Sequence, residues 1–537
     1  MKSSKLLLSS LLLISLASSA QSQRKVTPGK KAPAKPAVSA PANRAPVAPR
    51  KIPQNRAAAQ LSEALSLARA GSYDRASVML YRLSRNPELA GQRQQIKYLL
   101  GVSLMEQKNY QVAAFQFVDV IRNGESKYTK QAIEKLSLVA DALGDDSLLN
   151  YAISRVRLDD FPEKYKDMVY FRLGEIKLKN KAYAEAVQSF ARVPASSKYY
   201  SQALFNRGLA HLEAKQTSEA QKVFEQLLSN RTNSGVTDTN RVAAQMALAR
   251  TLYQAQDWDA SIEAYRQVPR DHEFWHDALF EQSWAYLRAA KFRSALSNFQ
   301  SLHSTFYEDH YLPESLLLRS IVFLYICKYD EMEKVLDLFE RSYGTVRAKL
   351  GTKLNSVKDP IEYYQELEKA QQFKLGKSDK NQLKTPYSVL RYILGQGDVK
   401  RSMAYLKTLQ EEKQRMESNP VYSRSGLLSY GQKILNNRMR NTRIAIGEMS
   451  KGHMGAIRAE LRDLYEQAGF VRYEMINGRK ETLKKKIAGK DIPTDQIDEN
   501  VKRDFFVQNG YEYYPFQGEY WLDEVGNYHY LGKQSCE

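Results

Sequence analysis

Cysteine, long apolar runs and catalytic motifs are all scarce in this chain of 537 residues, and each scarcity excludes a class of protein. The chain has two cysteines, which excludes a small fold held together by many disulfides. Beyond the N-terminal segment no stretch stays apolar for the roughly 18 residues that a membrane-spanning helix needs. No phosphate-binding glycine loop and no Ser-His-Asp motif is present. We therefore predict a protein that is not an enzyme and that uses no cofactor or metal.

The first 20 residues have the pattern of a secretory signal peptide. Lys2 and Lys5 provide the positive start, residues 6–16 are mostly apolar, and small residues at 17–20 form a cleavage site. No cysteine follows the apolar stretch, which excludes the lipid anchor of bacterial lipoproteins. We expect export to the periplasm, with a peripheral place at the outer membrane as one candidate. Export also argues against nucleic acid as the partner of the net charge of +20.

Residues 21–56 are predicted to be a disordered tether. This segment has seven prolines, seven alanines, nine Lys or Arg residues and no acidic residue. Such a composition cannot form a core and favours an extended chain. One interpretation is a plain spacer. The other is an electrostatic contact with peptidoglycan, another anionic envelope polymer or lipid phosphate.

A helix-pair pattern begins near residue 57 and is clearest in residues 164–194. In the second helix of that stretch, apolar residues follow at gaps of three, four and three from Tyr183 through Ala186 and Phe190 to Val193. These gaps place one apolar stripe on one helix face. A lone helix pair cannot bury such a stripe, so we expect copies on either side.

Eight copies of the pattern precede residue 345. In each copy a mostly small residue of the first helix is followed, nine residues later, by the start of the second helix. The small positions are Ala64, Gly101, Ser137, Gly174, Gly208, Ala249, Ser283 and Ser320. The predicted starts are Tyr73, Tyr110, Asp146, Tyr183, Thr217, Trp258, Phe292 and Tyr329. The regular recurrence of this helix pair along the chain resembles the tetratricopeptide repeat. The resemblance implies an all-α superhelical solenoid of about eight repeats over residues 57–345.

The resemblance also implies that partners bind along the concave face, which the first helices line. Positions three before and one after the small residue are the candidates for that groove. They are Tyr98, Phe171, Glu175, Phe205, Met246, Arg250, Phe280 and Trp284. Tetratricopeptide domains that clamp a terminal carboxylate have Lys and Asn at such places, whereas this chain has mostly apolar side chains. An extended or helical apolar segment is therefore the expected ligand. The alternative is that these side chains pack on neighbouring repeats.

Beyond the repeats, residues 346–423 are predicted to form connector helices, and residues 424–490 one long basic helix. Residues 423–490 have fifteen Lys or Arg residues against six acidic ones. Apolar residues recur at alternating gaps of three and four, as in a coiled coil. They are Met454, Ile457, Leu461, Leu464, Ala468, Val471 and Met475. One interpretation is a helix packed on the end of the array with a solvated basic face. The others are a dimer seam and a docking surface for an anionic partner.

Residues 491–537 form an acidic, aromatic tail, with ten acidic residues, three basic residues and ten aromatic residues. Alternation around Gly526 favours a short β-hairpin that must lean on another part of the chain. The tail reads PF-x-GEYW-x-DE-x-G-x-Y-x-Y. Its motif residues are Phe516, Gly518, Glu519, Tyr520, Trp521, Asp523 and Glu524. After an exported repeat array, this tail resembles the adventurous-gliding motility protein T family. That resemblance implies a periplasmic component of an envelope-spanning motility machine.

Three further patterns have residue types that could carry chemistry. Residues 272–276 read H-E-x-x-H, but they straddle the connection between two repeats, whereas a zinc site needs both histidines on one helix. Glu417 and the nearby Ser425 faintly resemble lytic transglycosylases, whose other motifs are absent. Cys327 and Cys536 are candidates for one disulfide that would join the tail to the last repeat. Unpaired or intermolecular thiols are the alternative.

Two functions remain in view. The first is a non-enzymatic scaffold that binds envelope proteins or peptide segments, within a gliding-motility or another envelope-spanning complex. The second is a peptidoglycan-associated envelope protein that binds the polymer or cleaves it.

Overall fold

The computed structural model describes residues 54–124, 127–144, 147, 150, 166–229, 238–376, 383–488, 520–522 and 524–530. These residues form nineteen α-helices, two short 3-10 helices and no strand, which confirms the all-α prediction. The predicted signal peptide and the tether up to residue 53 lie outside them. The last tether residues, from Gln54, instead begin the first helix.

Eight helix pairs, or sixteen helices, are predicted along the array, and the structure describes fifteen of them. In the first three repeats they are α1 Gln54–Arg69, α2 Tyr73–Leu83, α3 Arg93–Glu106, α4 Tyr110–Arg122 and α5 Thr129–Leu143. The following pairs are α6 Lys166–Lys179 with α7 Tyr183–Ala191, α8 Tyr200–Glu213 with α9 Thr217–Ser229, and α10 Asp238–Gln254 with α11 Trp258–Arg266. The last pairs are α12 Trp275–Arg288 with α13 Phe292–Leu302, and α14 Pro313–Tyr325 with α15 Tyr329–Ser356. The remaining helices are α16 Pro360–Lys374, α17 Tyr387–Gly395, α18 Gly397–Ser418 and α19 Gly426–Ile487.

The predicted starts of the second helices are confirmed in seven repeats, and Asp146 lies outside the described residues. The two helices of each described pair pack against each other. Two residues before each predicted start, the backbone takes a positive φ that lets the chain reverse direction in a short turn. These residues are Gly71, Lys108, Gly144, Lys181, Lys215, Gln256, Ala290 and Cys327. The nine-residue spacing in the sequence therefore reflects one repeated turn.

In three repeats the small residue is a glycine that faces a phenylalanine of the partner helix, sixteen residues later. The pairs are Gly101–Phe117, Gly174–Phe190 and Gly208–Phe224. A Cβ atom on any of these glycines would lie 2.5–2.6 Å from the nearest ring carbon, where ordinary contact needs 3.4–4 Å. All three rings are at most 2% exposed. Glycine is thus required here by close helix packing rather than by a turn.

The described residues belong to two compact units. The first unit contains α1–α5, α18 and α19 as far as Met449, and the second contains α6–α17, the rest of α19 and the described tail. The predicted array is therefore divided between two units. Its predicted end at residue 345 falls inside α15, because the apolar period of that helix continues. Val346 and Leu350, which are 5% and 0% exposed, extend the buried stripe.

In the first unit, α18 supplies a helix cap to α4 from about 300 residues away. The Glu412 carboxylate accepts hydrogen bonds from the backbone N–H of Gln111 at 2.8 Å and of Val112 at 3.0 Å. These N–H groups have no partner inside the first turn of α4, and Asn109 at the N-cap position provides no side-chain hydrogen bond. Burial raises the pKa of Glu412 to about 7, although both N–H groups and Arg415 act in the opposite direction. The contact ties α18 to the second repeat.

In the second unit, the apolar seam of α19 packs on the chain itself. Five of its seven predicted residues are at most 5% exposed, namely Met454, Ile457, Leu461, Leu464 and Met475. Leu464 and Met475 join one core with residues of α14 and α15, among them Phe339. The interpretation of α19 as a helix packed on the end of the array is the one that the structure shows. Other apolar side chains of the same helix, among them Phe470 and Ile487, remain exposed.

Charged contacts accompany that packing. Arg479 of α19 donates to Asp330 at 2.7 Å and to Glu333 at 2.8 Å, and Arg472 donates to Asp337 at 2.9 Å. Opposite charges on α15 thus neutralise part of the basic face of α19. Each exposed pair contributes little to stability.

The described tail residues contact the seventh repeat and form a turn, so the predicted β-hairpin is wrong for them. Gly526 has φ +93° and lies against Trp275, whose ring carbon would be 2.8 Å from a Cβ atom there. The Gly526 N–H donates to the Ser301 hydroxyl at 2.7 Å, and the Tyr530 N–H donates to Ser297 at 3.1 Å. Serine hydroxyls of α13 thus take up backbone groups that a hairpin would have paired. The expectation that the tail leans on another part of the chain is confirmed.

Candidate functional site

The first helices of neighbouring repeats contact one another, so that they form continuous faces within each unit. In the second unit α6 contacts α8, α8 contacts α10, and α12 contacts α14. In the first unit α3 contacts α5. We refer to these surfaces as the first-helix face. All eight predicted groove residues lie on first helices, at the positions where the repeat pattern places them.

Four of the eight predicted groove residues fill the interior between helices. Phe171 and Met246 are each 3% exposed, Phe280 is 8% exposed, and Trp284 is 9% exposed. Phe171 stacks on Tyr199 of the next repeat, with ring centroids 5.1 Å apart. For these four residues the structure shows packing on neighbouring repeats, which was the alternative interpretation. Their binding role stays a prediction, and substitutions there would change packing as well.

Three other predicted residues retain exposed surface. Tyr98 and Phe205 are half-buried, and Tyr98 stacks on Tyr128 with ring centroids 5.5 Å apart. Glu175 is also half-buried and accepts a hydrogen bond at 2.8 Å from Arg172 of the same helix. These side chains are held in place by neighbours and still present part of their surface to solvent.

Arg250, the eighth predicted residue, belongs to a charged network that connects α10 with α12. Its Nε and Nη2 donate to the Glu281 carboxylate at 2.7 and 2.6 Å, a two-pronged geometry that fixes both side chains. The Tyr265 hydroxyl donates to the same carboxylate at 2.9 Å. Glu281 is 6% exposed, whereas the Arg250 side chain is 42% exposed. The network therefore holds a guanidinium group at a defined place on the first-helix face.

A second acid lies beside this network. Partial desolvation and the Glu281 carboxylate raise the pKa of Asp277 above its ordinary value, whereas Arg250 lowers it, and the Asp277 side chain is exposed at the surface of α12. Burial and Glu281 also raise the pKa of Tyr265 well above its ordinary value, so its hydroxyl stays a donor. The first-helix face thus places one fixed cation near a second acidic side chain.

The indole Nε1 of Trp284 is buried without an acceptor among the described residues. An unsatisfied buried donor costs free energy that a carbonyl group could recover. This donor lies on α12, the helix that also contains Glu281 and Asp277.

The tail motif is described only in part. Phe516, Gly518, Glu519 and Asp523 lie outside the described residues, whereas Tyr520, Trp521 and Glu524 lie within them. Trp521 is 61% exposed. The main-chain oxygen of Leu522 accepts a hydrogen bond at 3.1 Å from Arg270. The described tail is therefore held by the repeats.

Cys327 occupies the positive-φ position of the last repeat turn and is not a free thiol. Cys536 lies outside the described residues, so its pairing stays a prediction. The H-E-x-x-H residues are divided between a turn, which contains His272, and α12, which contains His276. Nowhere in the described ranges do three metal-binding side chains of the His, Cys, Asp or Glu type come together. Among the helices described here, none combines the length and apolar character that a membrane crossing requires.

One surface was missed by the sequence reasoning. In the first unit α2, α3, α4 and the start of α19 enclose a cleft lined by aromatic and cationic side chains. Tyr430 and Arg438 of α19 join residues more than 300 positions earlier in the chain. No local pattern marks such a combination, because the repeat period says nothing about which later helix packs on it.

A model of the tetratricopeptide repeat family matches residues 205–278. Residues 205–278 therefore have the pattern of the tetratricopeptide repeat. No curated protein matches the chain. Among solved structures, the chain is similar to pilF of Pseudomonas aeruginosa, with 17% identity over 40% of this chain and 95% of that chain and a TM-score of 0.28. A tetratricopeptide repeat protein of Parabacteroides merdae is 12% identical over 50% of this chain and 99% of its own, with a TM-score of 0.30. A Rap protein in complex with competence and sporulation factor is 14% identical over 74% of this chain and 100% of its own, with a TM-score of 0.27.

Proposed function

We propose that this protein is a non-enzymatic scaffold for protein–protein interaction in the periplasm, and that partner segments bind on its first-helix face. Tetratricopeptide repeats generally serve protein–protein interaction, and stacked repeats present extended surfaces for that purpose. The observation that carries the proposal is the network around Arg250. A buried carboxylate fixes a partly exposed arginine side chain on this face, and such preorganisation favours peptide recognition.

A bound segment would use three kinds of contact on this face. Phe205 and Tyr98 offer half-exposed rings to apolar side chains in their respective units. Arg250 offers donors to a carbonyl or carboxylate oxygen. The Trp284 N–H has no acceptor among the described residues, and a partner carbonyl that reached it would supply one. These contacts suit an extended or helical segment with apolar side chains and a few polar groups.

The location and the biological setting are part of the same proposal. The segment 1–20 has the pattern of a secretory signal, which supports a periplasmic location. The tail motif supports a role in a gliding-motility complex or another envelope-spanning complex, since it resembles the adventurous-gliding motility protein T family. Fractionation of cells that produce the tagged chain should recover it in the periplasmic fraction, and recovery in the cytoplasm would contradict this part.

Site-specific photocrosslinking in cells tests the binding face. A photoreactive amino acid at Phe205, on α8, should capture partner proteins. The same amino acid at Lys222 of α9, whose side chain is 66% exposed, is the matched control on a second helix and should capture little. Equal capture at both positions, or capture at Lys222 alone, would refute binding on the first-helix face.

The competing function is association with peptidoglycan. It predicts that the purified chain co-sediments with isolated sacculi, whereas the scaffold function predicts recovery of proteins.

A further inference from the structure

The cleft of the first unit has a rigid aromatic floor. Its cavity volume is about 840 Å³, and its floor is formed by Tyr81, Phe115 and Tyr430. The Tyr81 and Tyr430 rings contact each other with centroids 5.4 Å apart, and Gln116 donates to the Tyr430 hydroxyl at 2.9 Å. Tyr81 is 7% exposed and Gln116 is 5% exposed. Burial of Tyr81 and the hydrogen bond from Gln116 to Tyr430 hold these two rings in place.

The rim of the cleft has a large excess of positive charge. Five cationic side chains and one carboxylate line it, and the carboxylate of Asp119 is already paired with Lys97. The other four cations form no ion pair with a carboxylate in the part of the chain that the structure describes. They are Arg85, Arg93, Arg122 and Arg438. Guanidinium groups brought together without counter-charges repel one another, and an anionic ligand would relieve that repulsion.

Two of these guanidinium groups are positioned by the aromatic rings. The Arg85 Cζ atom lies 4.5 Å from the centroid of Tyr81, and the Arg438 Cζ atom lies 5.2 Å from that of Phe115. A cation over a ring face is attracted to the ring, and this contact leaves the N–H groups at the edge of the guanidinium plane available to a ligand. The fork of N–H donors matches the two oxygens of a carboxylate. The cleft is therefore built for carboxylates beside aromatic or apolar groups.

The volume and the lining together indicate the class of ligand. Pockets of roughly 300–1,000 Å³ hold a ligand of small-molecule size, which corresponds to a few residues rather than a folded domain. Three rings would contribute little to binding a simple phosphate or a polyanion. A short segment with both acidic and aromatic side chains uses the rings and the arginines at once.

A contact in the second unit shows that this chemistry holds a peptide against a repeat. There Arg270 lies over the ring of Trp275, with its Cζ atom 5.6 Å from the centroid, and donates to the main-chain oxygen of Leu522. Gly526 of the same tail packs on the Trp275 ring. An arginine stacked on an aromatic ring thus binds a segment of an acidic, aromatic tail. The Arg85–Tyr81 and Arg438–Phe115 pairs repeat this arrangement in the cleft.

We propose that the cleft between α2, α3, α4 and α19 binds an acidic, aromatic peptide segment of a partner protein. The proposal rests on the scaffold function, but it concerns a different surface from the first-helix face. Partner capture through Phe205 with no peptide binding in the cleft would therefore remove this inference alone.

The test is fluorescence anisotropy with the purified full chain and a labelled eight-residue peptide of alternating Glu and Tyr. Substitution of both stacked arginines, Arg85→Gln with Arg438→Gln, should weaken binding roughly tenfold or more, because two charge-assisted contacts are lost. The matched control is Arg69→Gln with Lys433→Gln, which removes the same charge from exposed positions outside the cleft and should change affinity less than about twofold. Circular dichroism checks that both variants are folded.

One further variant and one further peptide complete the experiment. Arg85→Lys with Arg438→Lys preserves the charge but not the fork of N–H donors, so we expect an intermediate loss of affinity for the Glu-Tyr peptide. If the glutamine variant fails to fold, the lysine variant tests the proposal in its place. A peptide of alternating Lys and Tyr should not bind. Equal affinity of the cleft and control variants for the Glu-Tyr peptide would overturn the proposal. A second result would also overturn the proposal. In that result the wild type does not bind the Glu-Tyr peptide but sediments with sacculi, and the cleft variant no longer sediments.

Discussion

Replacement of Gly208 by alanine tests whether ring packing, rather than backbone freedom, requires glycine in the first helices. The new Cβ atom would lie 2.5 Å from Cε1 and 2.6 Å from Cζ of Phe224, about 1 Å inside ordinary contact. Phe224 is 0% exposed, so its ring cannot move aside without disturbing the core. Overpacking of this kind costs about 1–3 kcal/mol. The better helix propensity of alanine offsets about 0.8–1 kcal/mol. We expect a net destabilisation of up to about 2 kcal/mol.

A second substitution isolates the contact itself. Phe224→Leu removes the ring atoms that the Cβ atom would meet, so Gly208→Ala should become neutral or stabilising in that background. The expected coupling free energy is about 1–3 kcal/mol, as for residues in direct contact. The chain contains the analogous combination in its first repeat, where Ala64 precedes Leu80 by the same sixteen residues. Both of those side chains are 0% exposed, which shows that the smaller pair packs well.

Urea unfolding followed by circular dichroism at 222 nm measures these differences. The matched control is Gly469→Ala in α19, where nothing lies within 4 Å of the new Cβ atom. That change should stabilise the protein by about 0.5–1 kcal/mol, because alanine replaces glycine in an open helix position. If Gly208→Ala behaves like Gly469→Ala, or if Phe224→Leu does not rescue it, ring packing is not what requires the glycine.

Three further predictions concern single side chains. Glu412→Ala leaves two buried N–H groups of α4 without an acceptor. It should therefore destabilise the first unit by about 2 kcal/mol or more and speed hydrogen exchange of the Gln111 amide. An unchanged exchange rate would contradict the cap. The pKa of Glu460 is raised from 4.5 to about 7 by burial and by Glu314, so its contribution to stability is complete below pH 4.5 and is lost as the pH rises through 7. Glu460→Gln should therefore gain unfolding temperature relative to the wild type between pH 5 and 8, and a constant difference would argue against this titration. Ala290→Gly removes a Cβ atom from a residue with φ 56°, so it should raise the free energy of unfolding by up to about 1 kcal/mol and the unfolding temperature slightly. A lower unfolding temperature would contradict a strained turn.

The positions of the repeat helices could be predicted because they depend on contacts that are local in the chain. A helix pair closes within about 34 residues, and its apolar spacing records which face is buried. The start of a second helix, such as Trp258, follows the positive-φ residue Gln256 by two positions. A period of this kind survives substitution of individual residues, which explains why seven starts agree with the structure.

The exposure of the predicted groove residues could not be read from the same pattern. Position in the repeat fixes the helix on which Phe171 or Phe280 lies, but the next repeat decides whether the ring stays exposed. Tyr199, at the start of the following repeat, covers Phe171. The predicted hairpin failed for a similar reason, since the hydroxyls of Ser297 and Ser301 bind the tail backbone.

The helical repeat and the apolar seam of α19 could be predicted from the sequence, because each depends on spacing along one or two helices. What packs on these elements depends on the tertiary structure. It placed Glu412 on the first turn of α4, the seam of α19 on α15, and Arg438 over Phe115 in the basic cleft. Such contacts join residues that are more than a hundred positions apart. Their partners are selected by shape and charge in three dimensions, and a repeat period contains no information about them.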